Sequence, residues 1–153
     1  LRYQRNVVAH ELGHATHNNL GIVTTNGVKP EFRLLMREFR EELGDEKNIQ
    51  RIIKELSRSY DDIIDKRIAG KLTEIKFQAL ANPKDGFADT IQALTREDFG
   101  WGHLKGYMKK GTHAEAEVFA HLSENYFLGN DNFKKWMPKS YKKGLEYFDK
   151  LYK

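Results

Sequence analysis

Apolar residues recur every three or four positions along most of the chain, which is the spacing of one face of an α-helix. The longest such pattern covers residues 46–67 and contains Ile49, Ile52, Ile53, Leu56, Tyr60, Ile63 and Ile64. Comparable patterns predict helices at residues 3–19, 31–43, 72–81, 85–95 and 112–128, and a last helix from residue 138 onward. We therefore expect a mainly α-helical protein.

The interruptions between these patterns carry turn signals. Residues 21–30 contain β-branched residues followed by Asn26-Gly27, which predicts at most a small hairpin. Pro83 is expected to end one helix, and Thr112 with Glu115 three residues later predicts a capping box at the start of another. We expect one domain over residues 1–153, and because the chain begins at Leu1 we expect it to be part of a longer protein.

Composition narrows the classes of function. The chain has 153 residues, of which 39% are hydrophobic and 31% are charged, and it contains no run of about 18 apolar residues, so no membrane span is expected. It also contains no cysteine. Any metal site must therefore use histidine, aspartate or glutamate ligands, and disulfides and thiol nucleophiles are excluded.

The net charge of +4 is concentrated near the end of the chain. From residue 130 onward there are seven lysines and three acidic residues. Such a segment can bind nucleic acid, but it is also typical of the solvated face of a terminal helix. We favour the solvated face over a nucleic-acid partner.

The sequence His10-Glu11-Leu12-Gly13-His14 is an HExxH motif within the first predicted helix. Histidines four positions apart project from one face of a helix, so His10 and His14 can reach one Zn²⁺ ion. Glu11 is rotated about 100° away from His10, which keeps it off the ion and leaves it beside an activated water. Glu11 can then act as a general base.

Two further features of this helix bear on its packing. Gly13 costs helix stability, so its presence indicates a close approach by another element. Val8, Leu12 and Ala15 lie opposite the histidine pair, and we expect this apolar face to pack against the rest of the protein.

A catalytic zinc site needs a third protein ligand, and the helix at residues 112–128 is its best source. Glu115 has a role as the capping-box partner, whereas Glu117 would be costly to bury without a cation. His121 and Glu124 follow on about the same stripe and are the alternatives. His17 lies two turns beyond His10 and is expected to be either a neighbour of the ligands or an exposed polar residue.

The order of these motifs resembles the gluzincin class of zinc metallopeptidases, and most specifically the anthrax lethal factor family of peptidase domains. In that family an HExGH helix is followed by a tyrosine, a Glu-Ala-Glu and a Phe-Ala, here Tyr107, Glu115-Ala116-Glu117 and Phe119-Ala120. The chain is also similar to peptidase-like domains of phage minor head proteins, which have a Gly-x-Gly-His before the tyrosine, here Gly100-Trp101-Gly102-His103. The resemblance runs from about residue 7 to the end.

The resemblance implies a single zincin-like helical domain with the HExxH helix at its centre. It further implies that His10, His14 and Glu117 bind Zn²⁺, that Glu11 is the base and that Tyr107 stabilises the oxyanion. His103 can serve in place of Tyr107, since an imidazole also donates to a developing oxyanion.

Two functions are consistent with these motifs. The first is zinc-dependent hydrolysis of peptide bonds, with a peptide or protein as substrate. The alternative is a non-catalytic accessory domain of a phage head or an effector, in contact with a capsid or host protein, where a structural or degenerate zinc site braces two helices.

Overall fold

The structure is a computed structural model that describes residues 2–153, with side chains from residue 4 onward. Within these residues the chain forms seven α-helices and one two-stranded antiparallel hairpin: α1 (Arg2–Asn19), β1 (Val23–Thr24), β2 (Gly27–Val28), α2 (Pro30–Leu43), α3 (Glu46–Ile68), α4 (Glu74–Leu94), α5 (His113–Leu128), α6 (Asp131–Trp136) and α7 (Pro138–Tyr152). A 3-10 turn at Tyr107–Lys109 lies in the loop between α4 and α5. The mainly α fold with a small hairpin confirms the prediction.

The main core lies where α2, α4, α5 and α7 meet. Aromatic side chains fill it, and each of the following is at most 1% exposed: Phe32, Phe39, Phe87, Phe119 and Phe148. A smaller cluster of Ile63, Phe77 and Ala81 joins α3 to the beginning of α4. No helix in the described part of the chain is long and apolar enough to span a bilayer.

Helices α1 and α5 pack against each other at very short range. A Cβ atom at Gly13 would lie 2.8 Å from the Cα atom of Ala120 and 3.2 Å from the Cβ atom of Ser123. A contact of 2.8 Å leaves no room for a methyl group, so this helix pair requires glycine at position 13. The predicted close approach at Gly13 is confirmed.

The predicted packing face of α1 is wrong. Val8 and Leu12 are 66% and 49% exposed, and Ala15 is exposed as well. The helix instead buries the side that carries Ala9, Gly13 and the histidines, because the small residues there allow α5 to come close. The more apolar face of α1 is therefore left in solvent.

Pro83 does not end a helix, contrary to the prediction. It lies inside α4, which continues without a break from Glu74 to Leu94. The Pro83 carbonyl oxygen accepts hydrogen bonds from the side-chain amides of Asn130 (2.8 Å) and Asn132 (3.3 Å). These tertiary contacts, together with the burial of the whole segment 87–94, hold the helix through the proline.

The predicted capping box at Thr112 is also wrong. The Thr112 hydroxyl donates a 2.7 Å hydrogen bond to the carbonyl oxygen of Thr24 in β1, and Glu115 accepts one of 2.6 Å from Arg96. Both side chains therefore make tertiary contacts where a local cap was expected. The sequence pattern does not predict α6, because its six residues are too few to show a period.

Candidate metal centre

The structure brings His10, His14 and Glu117 together, and we call these three residues the triad. His10 Nε2 lies 3.1 Å from Glu117 Oε2, and His14 Nε2 lies 3.3 Å from Glu117 Oε1. One ligand atom from each of the three residues lies within 4.8 Å of the others. The two histidines come from α1 and the carboxylate from α5, so the close packing at Gly13 builds the site. Such a set can hold a metal ion.

Glu117 is 3% exposed, so its carboxylate sits in a nearly dry environment. Burial by itself would raise the pKa of Glu117, but hydrogen bonds from His10 and His14 outweigh it and hold that pKa well below its usual range. Glu117 is therefore ionised, and its charge is compensated by the imidazoles or by a bound cation.

His17 fixes the orientation of His14. Its Nδ1 atom lies 3.2 Å from the carbonyl oxygen of Val23, and its Nε2 atom lies 3.0 Å from His14 Nδ1. A carbonyl only accepts, so His17 Nδ1 carries the proton, and burial keeps the ring neutral by lowering the pKa of His17. His17 Nε2 therefore accepts from His14 Nδ1. His14 Nε2, the other ring nitrogen, faces Glu117 Oε1.

His17 is 4% exposed, so it is not an exposed polar residue. Of the two interpretations open from the sequence, its contact with His14 agrees with the one that places it next to the ligands.

Tyr107 and His103 both reach Glu117 from the loop between α4 and α5. The Tyr107 hydroxyl donates a 3.1 Å hydrogen bond to Glu117 Oε1, and His103 Nε2 lies 3.6 Å from the same oxygen. The two rings are stacked, with their centroids 4.2 Å apart. Burial and the nearby Glu117 carboxylate raise the pKa of Tyr107 to about 12, so its hydroxyl remains a donor at neutral pH.

Glu11 is exposed and lies at the edge of a cavity next to the triad. This cavity has a volume of about 280 Å³ and is open to solvent; its walls include His10, Glu11, Asp85, Asp89, His103 and Glu124. A small molecule or an extended peptide segment can therefore reach Glu11 and His10 from the same side.

A second group of titratable side chains adjoins the triad, and we call Asp89, His103, His121 and Glu124 the Asp89 network. Asp89 is 5% exposed and bridges two imidazoles, 2.6 Å from His103 Nδ1 and 2.5 Å from His121 Nε2. Glu124 Oε2 lies 3.3 Å from His121 Nδ1 and 3.5 Å from His10 Nδ1. The network therefore borders the triad at His10.

His121 is charged in this network. Burial would lower its pKa, but Asp89 and Glu124 outweigh that effect and raise the pKa of His121 to about 10. Both ring nitrogens then donate hydrogen bonds to carboxylates. His121 and Glu124, the alternative third ligands, thus lie on the Nδ1 side of His10, whereas Glu117 lies on its Nε2 side.

The backbone of His103 is held by Gln92 of α4. The Gln92 amide accepts from His103 N–H at 2.9 Å and donates to the His103 carbonyl at 3.0 Å. Gly100 and Gly102 allow the loop to lie directly on α4, since a Cβ atom at either position would collide with Ala88, Gln92 or Asp89. The Gly-x-Gly-His segment is therefore the part of the loop that contacts α4 most closely.

Sequence reasoning did not identify Asp89 or Gln92 as part of the site. Both are polar residues in a segment whose other members include Phe87, Ile91 and Leu94, and the whole segment is buried. Polar residues three positions apart in an otherwise apolar helix indicate a functional or structural network, because each needs a buried partner. That signal is present in the sequence, but the partners of Asp89 and Gln92 lie 11 to 32 residues further on.

Comparison with protein-family models gave no match, and comparisons with curated proteins and with solved structures gave none either.

Proposed function

We propose that this protein is a zinc metallopeptidase of the gluzincin type. The observation that carries the proposal is the convergence of His10, His14 and Glu117 from two helices, with Glu11 on the same helix as the histidines. Two histidines and one glutamate are a ligand set of catalytic zinc sites, which leave a further position open for water or substrate.

The spacing of the triad atoms suits zinc. Zinc ligands lie about 2.0–2.2 Å from the ion, so a tetrahedral set places its ligand atoms about 3.3–3.6 Å apart. The His10–Glu117 and His14–Glu117 separations of 3.1 and 3.3 Å are close to this range. The orientation of His14 is a second reason to assign a metal ion to the triad, because His17 holds its Nδ1 atom and so turns its Nε2 atom toward Glu117.

His10, His14 and Glu117 would hold the zinc ion, which would polarise the peptide carbonyl and lower the pKa of the attacking water. Glu11 accepts the proton from that water and returns it to the leaving amine. Tyr107, with His103 stacked beside it, donates to Glu117 Oε1 in this structure, and its one hydroxyl proton would turn to the carbonyl oxygen as negative charge develops there. The pKa of about 12 keeps the Tyr107 hydroxyl protonated for this task.

Matched substitutions test the proposal. Metal analysis is expected to find about one zinc ion per chain in the wild type and in Glu11→Gln, and much less in Glu117→Gln. Hydrolysis of a peptide library is expected to fall by about 10²- to 10⁴-fold in Glu11→Gln, because that variant keeps the ion and loses the base.

Full activity of Glu11→Gln would contradict the mechanism. A wild type that binds zinc, cleaves no peptide and loses much of its thermal stability on chelation would instead support the accessory domain with a structural ion.

A further inference from the structure

The turn that follows α4 has an unusual backbone. Arg96 and Glu97 have φ angles of 48° and 77°, and within the described residues they are the non-glycine residues with positive φ. The left-handed region is unfavourable for side chains of this size, and two such residues in succession persist only where their surroundings hold them.

The Glu97 carboxylate holds the loop on both sides of Tyr107. Its Oε2 atom accepts a 2.9 Å hydrogen bond from Gly106 N–H, and its Oε1 atom accepts a 3.3 Å hydrogen bond from Met108 N–H. The amide between them, Tyr107 N–H, donates to the Leu104 carbonyl at 3.1 Å. Three successive amides are thus held, and the two that flank Tyr107 depend on one side chain.

Arg96 connects the same turn to the helix that carries the third triad residue. Its guanidinium donates a 2.6 Å hydrogen bond to Glu115, which is 9% exposed and lies two positions before Glu117 on α5. The left-handed turn therefore contacts both the Tyr107 loop, through Glu97, and α5, through Arg96.

We propose that Glu97 is a positioning residue that places the Tyr107 hydroxyl at the metal centre. A phenol oxygen lies far from its own Cα atom, so a small rotation of the backbone at residues 106–108 becomes a large displacement of the hydroxyl. The strained turn aims the Glu97 carboxylate at both flanking amides and so suppresses that rotation. The catalytic consequence rests on the proposed function, whereas the placement of the ring does not.

Two substitutions separate this role from general stability. Glu97→Gly suits a positive φ and so relieves backbone strain, but it removes the carboxylate that accepts from the Gly106 and Met108 amides. Glu97→Gln keeps one acceptor oxygen and is expected to be intermediate. Asp98→Gly makes the same change at the next, exposed position and serves as the matched control.

In zinc-loaded protein we expect Glu97→Gly to lower kcat by about 10- to 100-fold with little change in KM or zinc content. When Tyr107→Phe is already present, Glu97→Gly should cause little further loss, because the group that it positions is gone. Independent, multiplying effects of the two substitutions would overturn the proposal, as would an equal loss in Asp98→Gly.

A second measurement does not depend on activity. Protein labelled with 3-fluorotyrosine gives a ¹⁹F NMR signal for residue 107, which Tyr107→Phe assigns. We expect Glu97→Gly to shift or broaden that signal, Glu97→Gln to do so less, and Asp98→Gly to leave it unchanged. An unchanged signal in Glu97→Gly would refute the positioning role even if the protein cleaves peptides. A shifted signal in a protein without peptidase activity would refute only the proposed function.

Discussion

The triad and the Asp89 network contain the same residue types and meet at His10, yet their geometries differ. In the triad the imidazole nitrogens stand 3.1 and 3.3 Å from the Glu117 oxygens. In the network Asp89 lies 2.6 and 2.5 Å from His103 and His121. The first separations are close to those between two ligands of one zinc ion, whereas the second are those of short hydrogen bonds to a charged group.

Proximity of histidine and carboxylate groups does not by itself separate the two, since groups drawn from both sets lie close enough to hold a metal ion. His121 is held between two carboxylates, so both of its nitrogens carry protons. His14 Nδ1 is held by His17 Nε2, which leaves His14 Nε2 facing Glu117. The group bonded to the second ring nitrogen, Glu124 for His121 and His17 for His14, therefore affects whether the imidazole is held as a charged donor or as a candidate metal ligand.

The largest expected loss of stability comes from a substitution that breaks the Asp89 network. Asp89→Asn leaves the His121 charge without its main buried partner, so we expect the free energy of unfolding to fall by about 3–5 kcal/mol. Urea unfolding of metal-free protein measures this change in the free energy of unfolding. Asp85→Asn, one turn earlier and hydrogen-bonded to Trp101, is the control and should cost less than about 1 kcal/mol. Equal losses of stability in the two variants would contradict the role of Asp89 as the partner of the His121 charge.

The same network predicts a pH dependence of stability. The pKa of His121 is about 10 in the folded protein and about 6.5 in an unfolded chain, so its proton favours the folded state. This contribution is complete below about pH 6.5 and is lost as the pH rises through about 10. In metal-free protein the stability gap between wild type and Asp89→Asn should therefore narrow from about pH 7 to pH 10. A constant gap would show that His121 is not charged.

A smaller effect is expected on the triad side, where His17 orients His14. His17→Leu can neither accept from His14 nor donate to Val23, and it should weaken zinc binding by about 10- to 100-fold. His17→Gln retains one donor and one acceptor and should weaken it less. Competition with a zinc chelator measures both affinities. Unchanged affinity in His17→Leu would mean that His14 needs no such partner.

The smallest change is a single methyl group at the α1–α5 contact. Gly13→Ala should lower stability by about 1–3 kcal/mol, because the added Cβ atom would lie 2.8 Å from the Ala120 backbone. Gly144→Ala, inside α7, meets only the Phe39 ring at 3.6 Å and should raise stability by up to about 1 kcal/mol. Thermal unfolding compares the two. A stabilising Gly13→Ala would contradict the close helix contact that brings the triad together.

Much of the helical fold was predictable because its signals are local. The spacing of apolar residues in α2 and α3 depends only on neighbours three and four positions away. The structure places both helices within one residue of the predicted bounds. Gly13 likewise indicated a close contact, since a glycine within a helix has a local cost that packing has to justify.

The errors occurred where distant residues overrode a local signal. Pro83 stays in a helix because Asn130 and Asn132 bind its carbonyl oxygen, and Thr112 bonds to β1 where a cap was expected. Glu115 was expected to be the partner in a capping box, but its carboxylate instead accepts a hydrogen bond from Arg96.

Most of the helices, and the spacing that puts His10 and His14 on one face, follow from the sequence because they depend on the geometry of a single helix. Packing between helices settles which face of α1 is buried, brings Glu117 to those histidines, and places Asp89 between His103 and His121. These pairs lie between 14 and 107 residues apart, and such contacts depend on how helices pack rather than on any local pattern.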